Sequence, residues 1–149
     1  MVHQNAAQGI FIRQTGNGIC SDITVENCKV TDNGGAGIYI FSPSEAEQNR
    51  GHTIRNNSIS GNFTEGIFSV RAYGCLFEGN VIGPQTPATN AYAIRSGLSR
   101  NWVVRNVSQG NTNVLGSPFV FISSGDTFGP TVTTSGMITN VNPWANFAR

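Results

Sequence analysis

Three acidic residues of this chain have positions suited to acid–base chemistry on a substrate. Asp32 and Glu65 each lie a few residues before a strand-like run, and Glu47 lies in an acidic loop, residues 42–52. Two carboxylates ~5–9.5 Å apart can cleave a glycosidic bond. These three are therefore the candidate catalytic residues. A plain Asp-Asn-Gly-Gly turn at Asp32 and a solvated loop at Glu47 account for the same residues without catalysis.

The elements that would position these carboxylates repeat along the chain. Four segments align: ITVENCKVTDN (23–33), HTIRNNSISGN (52–62), CLFEGNVIGPQ (75–85) and WVVRNVSQGNT (102–112). In this alignment one apolar position holds Val25, Ile54, Phe77 and Val104, and one corner position holds Cys28, Asn57, Asn80 and Val107. Between them lies a second set of runs: GIFIR (9–13), GIYIF (37–41), IFSVR (67–71), AYAIR (91–95) and PFVFI (118–122).

Repeats of this length, with strands too short to bury a face alone, predict a stacked solenoid. Like positions on successive coils should lie about 4.8 Å apart. A repeated corner asparagine can hydrogen-bond its own backbone and the equivalent amide of the next coil, so Asn57 and Asn80 are predicted to pair. The expected fold is all-β, a right-handed parallel β-helix of about four to five coils.

Composition supports an all-β chain and excludes several partners. Of the 149 residues 38% are hydrophobic, 11% are charged and 18 are glycine, which favours short strands and turns over helices. The net charge of +1 argues against nucleic-acid binding, and no apolar span indicates a membrane helix. The three cysteines form no CxxC or Cys/His cluster, so no metal and no cofactor is expected.

The segments GIYIFSPSEAEQNRGHTIRNNSISGN and GIFSVRAYGCLFEGNVIG resemble the repeats of the right-handed parallel β-helix, or pectin-lyase-like, superfamily. The resemblance covers roughly residues 9–122. It implies that a polysaccharide binds lengthwise along a parallel sheet face, as in pectate lyases, polygalacturonases and bacteriophage tailspikes. It also implies an extracellular or virion-surface location and an oligosaccharide or polysaccharide partner.

Several residues of the second set of runs are candidates for binding that polysaccharide. Three arginines and two aromatic residues would form a basic and aromatic strip suited to sugar rings and acidic groups. They are Arg13, Arg71, Arg95, Phe41 and Tyr39. Because side chains alternate along a strand, some of the aromatic residues must face the core.

Other charged residues favour a structural role. The alignment places Glu26, Arg55, Glu78 and Arg105 at one outward position, where alternating signs predict ion pairs between coils. Lys29 is the one lysine of the chain, and no acidic trio suited to calcium is present, which argues against a pectate-lyase site.

The chain divides into predicted β-helix coils, residues 1–122, and a tail, residues 123–149, that leaves the repeat spacing and would cap the last coil or mediate trimerisation. The first strand run begins within about nine residues of Met1, so we expect upstream coils or another chain to cover the first coil. Two functions remain open at this point: a polysaccharide-cleaving hydrolase or lyase, and a noncatalytic stalk, recognition or trimerisation module.

Overall fold

The computed structural model describes residues 1–16, 18–43, 49–86, 92–97, 100–111, 118–121, 126–133 and 143–148. Within these ranges every regular element is a β-strand. In chain order the strands are β1 (Val2–His3), β2 (Ile10–Arg13), β3 (Cys20–Ser21), β4 (Thr24–Glu26), β5 (Lys29–Thr31), β6 (Ile38–Phe41), β7 (Asn49–Arg50), β8 (Thr53–Arg55), β9 (Ser58–Ser60), β10 (Ile67–Val70), β11 (Ala72–Tyr73), β12 (Leu76–Glu78), β13 (Val81–Ile82), β14 (Ile94–Gly97), β15 (Trp102–Val104), β16 (Val107–Ser108), β17 (Phe119–Phe121), β18 (Thr127–Phe128), β19 (Thr131–Thr133) and β20 (Asn146–Ala148).

The strands form four parallel sheets that run along a solenoid of about four turns. Sheet 1 has the order β1-β5-β9-β13-β16-β20-β19, sheet 2 has β17-β14-β10-β6-β2, sheet 3 has β11-β7-β3 and sheet 4 has β18-β15-β12-β8-β4. Each coil contributes one strand to a sheet before the chain turns to the next, which confirms the predicted parallel β-solenoid.

The core is a set of stacked aliphatic side chains. In sheet 2 the first residues of β6, β10 and β14 pair in register, and Ile38, Ile67 and Ile94 are all fully buried. The next residue of each strand points outward because side chains alternate along a strand. These residues are Tyr39, Phe68 and Arg95. Phe77 and Ile54 form the equivalent interior stack in sheet 4.

A glycine precedes several sheet 2 strands because the interior has no room for a side chain there. A Cβ at Gly37 would lie 2.7 Å from Ile59 Cγ2 and 2.8 Å from the Gly66 carbonyl. A Cβ at Gly66 would lie 2.5 Å from Ile82 Cγ2. The glycine of the repeated Gly-Ile pair is thus a packing requirement, since backbone and core side chains fill the space of its missing side chain.

One corner of the solenoid is held by an interior stack that we call the asparagine column: Asn57, Asn80, Asn106 and Asn146. Asn80 Oδ1 accepts hydrogen bonds from Asn57 N and Nδ2, and its own Nδ2 donates to Ile54 O and to Asn106 Oδ1. The predicted pairing of Asn57 with Asn80 is confirmed, and Cys28 joins the column through its backbone N–H, which donates to Asn57 Oδ1.

The sequence alignment was wrong by one residue in the fourth coil. Phe77 pairs with Val103 rather than Val104, and Asn106 rather than Val107 occupies the column. Val103 and Val104 fit the apolar position equally well. Burial of Asn106, in contrast, satisfies the backbone and side-chain amides of Asn80 and leaves Val107 beside the column. Hydrogen bonding therefore decides the register.

The same correction changes the outward charges. Glu26, Arg55 and Glu78 do lie in register, and Arg55 Nε binds Glu26 Oε2 at 2.7 Å. Arg105, however, follows the strand in a left-handed conformation, φ 57°, and reaches back to Glu78 at 3.1 Å. Both predicted ion pairs are present, although Arg105 lies one position beyond the ladder.

Strands from the region beyond residue 122 continue the sheets. β18 pairs with β15, β20 pairs with β16, and β19 pairs with β20. Asn146 of β20 extends the asparagine column by accepting from the N–H and the side-chain amide of Asn106. The division at residues 122 and 123, and the role of the tail in capping or trimerisation, stay predictions.

Candidate functional site

The outward face of sheet 2 carries a stack of rings that we call the aromatic ladder: Phe11, Tyr39 and Phe68. These residues occupy the same register position on β2, β6 and β10. The ring centroids of Phe11 and Tyr39 are 5.1 Å apart with planes 2° from parallel, and those of Tyr39 and Phe68 are 5.0 Å and 5°. The rings therefore stack on one another and present mainly their edges to solvent.

Arg95 continues the ladder on the next coil. It pairs with Phe68 across β10 and β14, and its guanidinium carbon lies 4.8 Å from the Phe68 ring centroid and 5.5 Å from that of Tyr92. Its Nη1 also binds Glu65 Oε1 at 3.2 Å. The aromatic faces and the carboxylate together fix the position of the guanidinium.

A groove of about 440 Å³ runs beside the ladder. This volume falls within the range of roughly 300–1,000 Å³ that small-molecule sites occupy. Glu65 is only 6% exposed, yet it lines the groove, so a buried carboxylate faces a space that a ligand can enter. The groove is lined by Gln8, Gly34, Gly35, Ala36, Tyr39, Thr64, Glu65 and Phe68.

Electrostatics keeps the Tyr39 hydroxyl protonated. Burial raises the pKa of Tyr39 above its ordinary value, and the negative charge of Glu65 raises it further, while Arg13 and Arg95 oppose this shift. The phenol is therefore a neutral group that both donates and accepts hydrogen bonds. Tyr39 and Glu65 thus supply a donor–acceptor and an acceptor to the groove, and Arg95 binds Glu65 beside it.

Such a groove can bind a polyhydroxylated molecule by hydrogen bonds along its length. Within the aromatic ladder the stacked rings cover each other's faces. A ligand can therefore contact the ring edges and the polar groups of the groove. Glu65 is the one carboxylate among the residues that line this groove. The described lining therefore favours recognition over a two-carboxylate reaction.

The predicted binding residues divide into two groups. Tyr39 lines the groove, Arg95 is ion-paired to the groove residue Glu65, and the Phe41 ring contacts Tyr39 at a centroid distance of 5.7 Å. Arg13 is exposed at the end of β2, and its charge acts on Tyr39. Arg71 turns away in a left-handed conformation, φ 54°, and donates to the carbonyls of Pro43 and Ser42. Arg71 thus anchors the start of the acidic loop.

One further prediction about this strip was wrong. Arg95 was aligned with Arg13 and Arg71 at the end of a strand, but it is the second residue of β14 and pairs with Phe68. The strand begins at Ile94 because that isoleucine stacks in the core on Ile67. Arg95 consequently lies over the aromatic ladder rather than beyond it.

The predicted catalytic residues occupy different positions. Asp32 is an exposed corner residue with φ 57°, and its Oδ1 lies where a Cβ of Gly61 would collide with it. Asp32 and Gly61 are neighbours on successive coils, whereas Glu65 follows the corner and pairs with Arg95. Asp32 does not line the groove. Glu47 lies outside the described residues, so the catalytic assignment of all three stays a prediction.

Sequence reasoning missed Gln8 and Thr64 as groove residues. Gln8 lies directly before the glycine of a Gly-Ile pair, and Thr64 lies two residues before the next such glycine. The corners that precede β2, β6 and β10 therefore contribute residues to the groove. The repeated position of the glycine is the signal that identifies these neighbours.

The fold and this face define a parallel β-solenoid with a groove where the strands of one sheet begin. The family model "NosD: Periplasmic copper-binding protein (NosD)" matches residues 1–128, and the chain belongs to this family. Searches of curated proteins and of solved structures find no match to this chain. Among the described residues no helix is long and apolar enough to cross a membrane.

The family description raises the question of whether these residues fit copper, which is bound in proteins mostly by His, Cys and Met. No three His, Cys, Asp or Glu side chains come together in the described ranges. Burial raises the pKa of the Cys75 thiol to about 11, so it is not the thiolate that binds metals. His52 is buried, and its Nδ1 accepts a hydrogen bond from Ile23 N at 3.1 Å. The described residues therefore offer copper no cluster of three His, Cys, Asp or Glu donors.

Proposed function

We propose that this protein binds an extended polysaccharide outside the cytoplasm, along the outward face of sheet 2. The observation that carries the proposal is that Tyr39 and Glu65 line one groove at the aromatic ladder, where Arg95 is ion-paired to Glu65 and lies over the Phe68 ring. Sugar hydroxyls would donate to Glu65, accept from Arg95 and do both with Tyr39. Regular steps of about 4.8 Å between coils suit a linear polymer that crosses successive strands.

The location follows from the family. The matched description is of a periplasmic protein, which supports an exported chain in the periplasm or another extracytoplasmic space. Location on a virion surface and a link to tailspikes remain hypotheses that rest on resemblance alone. A homotrimer, or association with upstream coils, is likewise a prediction, which analytical ultracentrifugation of the purified chain tests.

The test of binding compares two matched arginine variants. Arg95→Gln removes a guanidinium that pairs with Glu65 at the groove, and Arg55→Gln removes one that pairs with Glu26 on sheet 4. A charge-assisted hydrogen bond contributes roughly 1.5–3 kcal/mol, so we expect Arg95→Gln to weaken binding of a glycan-array hit at least about tenfold. Arg55→Gln should bind as the wild type does. Equal weakening by both variants, or by neither, would contradict the proposed site.

Polysaccharide cleavage is the second candidate function, and one observation favours it. Glu65 is a carboxylate that is 6% exposed and lines the groove. It would act as general base or nucleophile if a second carboxylate, Asp32 or Glu47, supplied the general acid on the opposite side of the bound sugar. Mass spectrometry of each array hit after incubation with wild type, Glu65→Gln, Asp32→Asn and Glu47→Gln tests this. Shortened products from the wild type alone would establish cleavage, and intact glycan in every case would leave binding as the function.

A further inference from the structure

A second recessed site lies at another corner of the solenoid, beside sheet 3. It has a volume of about 440 Å³, and we call it the arginine notch. Its lining is polar and includes two guanidinium groups, a phenol and one carboxylate. The residues are Ser21, Asp22, Arg50, Gly51, Tyr73, Gly74 and Arg100.

The backbone of the corner creates the notch. Asp22, Gly51, Gly74 and Arg100 occupy equivalent corners on four coils, and all four have a positive φ, between 59° and 67°. The two central positions are glycine, so side chains project only at the two ends of this column. A Cβ added at Gly74 would meet no atom within 4 Å. The space above Gly74 is therefore open, whereas Asp22 Oδ1 would lie 2.7 Å from a Cβ at Gly51 and covers that end of the floor.

The two arginines belong to coils on either side of Gly74. Arg50 belongs to the second coil and Arg100 to the fourth, so their backbones lie two coil steps, roughly 10 Å, apart on either side of Gly74. In the described part of the chain neither guanidinium has a carboxylate within 4.0 Å, whereas Arg55, Arg95 and Arg105 are all ion-paired. Among the described residues, two guanidinium groups outside any ion pair therefore line one recess together with the Asp22 carboxylate.

We propose that the arginine notch binds a carboxylated sugar, with the carboxylate between Arg50 and Arg100 and the ring over Gly74. Guanidinium groups bind carboxylates through paired hydrogen bonds of fixed geometry. The recess is far larger than a bare anion needs, and the Tyr73 side chain lines it with a surface for a ring and a hydroxyl. The Asp22 carboxylate, at the end of the notch opposite Arg100, repels the sugar carboxylate and accepts hydrogen bonds from sugar hydroxyls. Together these two effects fix the orientation in which the sugar binds.

This site is independent of the groove on sheet 2, because it uses different strands and different residues. A chain that binds neutral polysaccharide in the groove can still bind a uronic acid in the notch, and the reverse also holds. Failure at one site therefore leaves the other intact.

The test is a nuclear magnetic resonance titration of the ¹⁵N-labelled chain with glucuronate, glucose and inorganic sulfate at low salt. We expect glucuronate to shift the amide signals of Gly51, Tyr73 and Gly74, and glucose to leave them unchanged. Arg50→Gln and Arg100→Gln should each weaken glucuronate binding about tenfold. Lys29→Gln, which removes an exposed charge on sheet 1, should have no effect.

A third variant tests the shape of the site without changing its charge. Gly74→Asn fills the floor with a residue that tolerates positive φ, as Asn27 and Asn56 do elsewhere in this chain, and it should abolish the glucuronate shifts. Equal binding of glucose and glucuronate, or equal weakening by Lys29→Gln and the two arginine variants, would overturn the proposal. Sulfate binding as tight as glucuronate binding would also overturn it, because the sugar ring would then contribute nothing.

Discussion

The asparagine column inside the solenoid and the groove outside it are built on the same coils, yet they use polar groups differently. Asn80 is fully buried, and its side chain makes four hydrogen bonds to the protein, which leaves no capacity for a ligand. Arg95 has one ion pair and keeps 35% of its side chain exposed. Polar groups satisfied within the protein hold the coils together, whereas those with capacity left at a groove can bind a ligand.

Substitution in the column should produce the largest loss of stability. Asn80→Ala leaves the backbone N–H of Asn57 and the carbonyl of Ile54 buried without these partners. Each unsatisfied buried group costs about 1–3 kcal/mol, so we expect the free energy of unfolding to fall by about 3 kcal/mol or more. Denaturant titration measures this, with the exposed Ser58→Ala as control. A loss below ~1 kcal/mol would show that the column is not a main stabilising element.

The groove should respond in the opposite way. Tyr39→Phe keeps the ring stack with Phe11 and Phe68 but removes the hydroxyl, so stability should be unchanged. Binding of the array hit should weaken about threefold to tenfold, the loss expected of one hydrogen bond worth roughly 0.5–1.5 kcal/mol. Calorimetric titration and thermal unfolding together check this. A stability loss without a binding loss would make Tyr39 a structural residue.

A second interior column sharpens the comparison because it contains a titratable member. His52, Cys75, Asn101 and Asp126 each directly precede a strand of sheet 4, and Asn101 Oδ1 accepts from Cys75 N as His52 Nδ1 accepts from Ile23 N. Burial lowers the pKa of His52, and the charge of Asp22 opposes this only partly. Protonation of His52 at Nδ1 would remove the lone pair that accepts the hydrogen bond from Ile23 N.

The sign of the pH effect follows from that shift. The unfolded chain takes up the proton near the ordinary pKa of about 6.5, whereas the folded chain resists it, so stability should fall as the pH drops below about 6.5. His52→Asn keeps an acceptor at this position and should flatten the dependence between about pH 6.5 and 5. Thermal unfolding across this range checks it. An unchanged slope in His52→Asn would assign the effect to other groups.

The smallest effect is expected for the outward ion pairs. Glu78→Gln breaks the pair with Arg105, in which both side chains are partly exposed at 24% and 50%. Pairs at the surface contribute about 0–1 kcal/mol, and salt screens them. Denaturant titration at low and at high salt should show a difference of this size that shrinks with salt. A larger loss, independent of salt, would mean that Glu78 has a packing role.

The repeat predicted the fold and the interior better than the groove. Spacing alone identified the parallel solenoid and the hydrogen bond between Asn57 and Asn80, because a buried amide must be satisfied at every coil. It misplaced the fourth coil because Val103 and Val104 fit the apolar position equally well. Glu65 and Arg95, which form an ion pair, lie on successive coils. The number of residues that connect two coils varies along the chain, so no local sequence pattern predicts which residues of neighbouring coils meet.

The most direct test of the central claim maps a bound glycan on the wild-type chain. The ¹⁵N-labelled protein is titrated with the oligosaccharide that binds best on the array, and the amide signals that shift are assigned. Binding along sheet 2 predicts shifts at Tyr39, Thr64, Glu65 and Phe68, with the amides of the asparagine column unmoved. Shifts confined to other sheets, or an array without a single binding glycan, would contradict the proposed function.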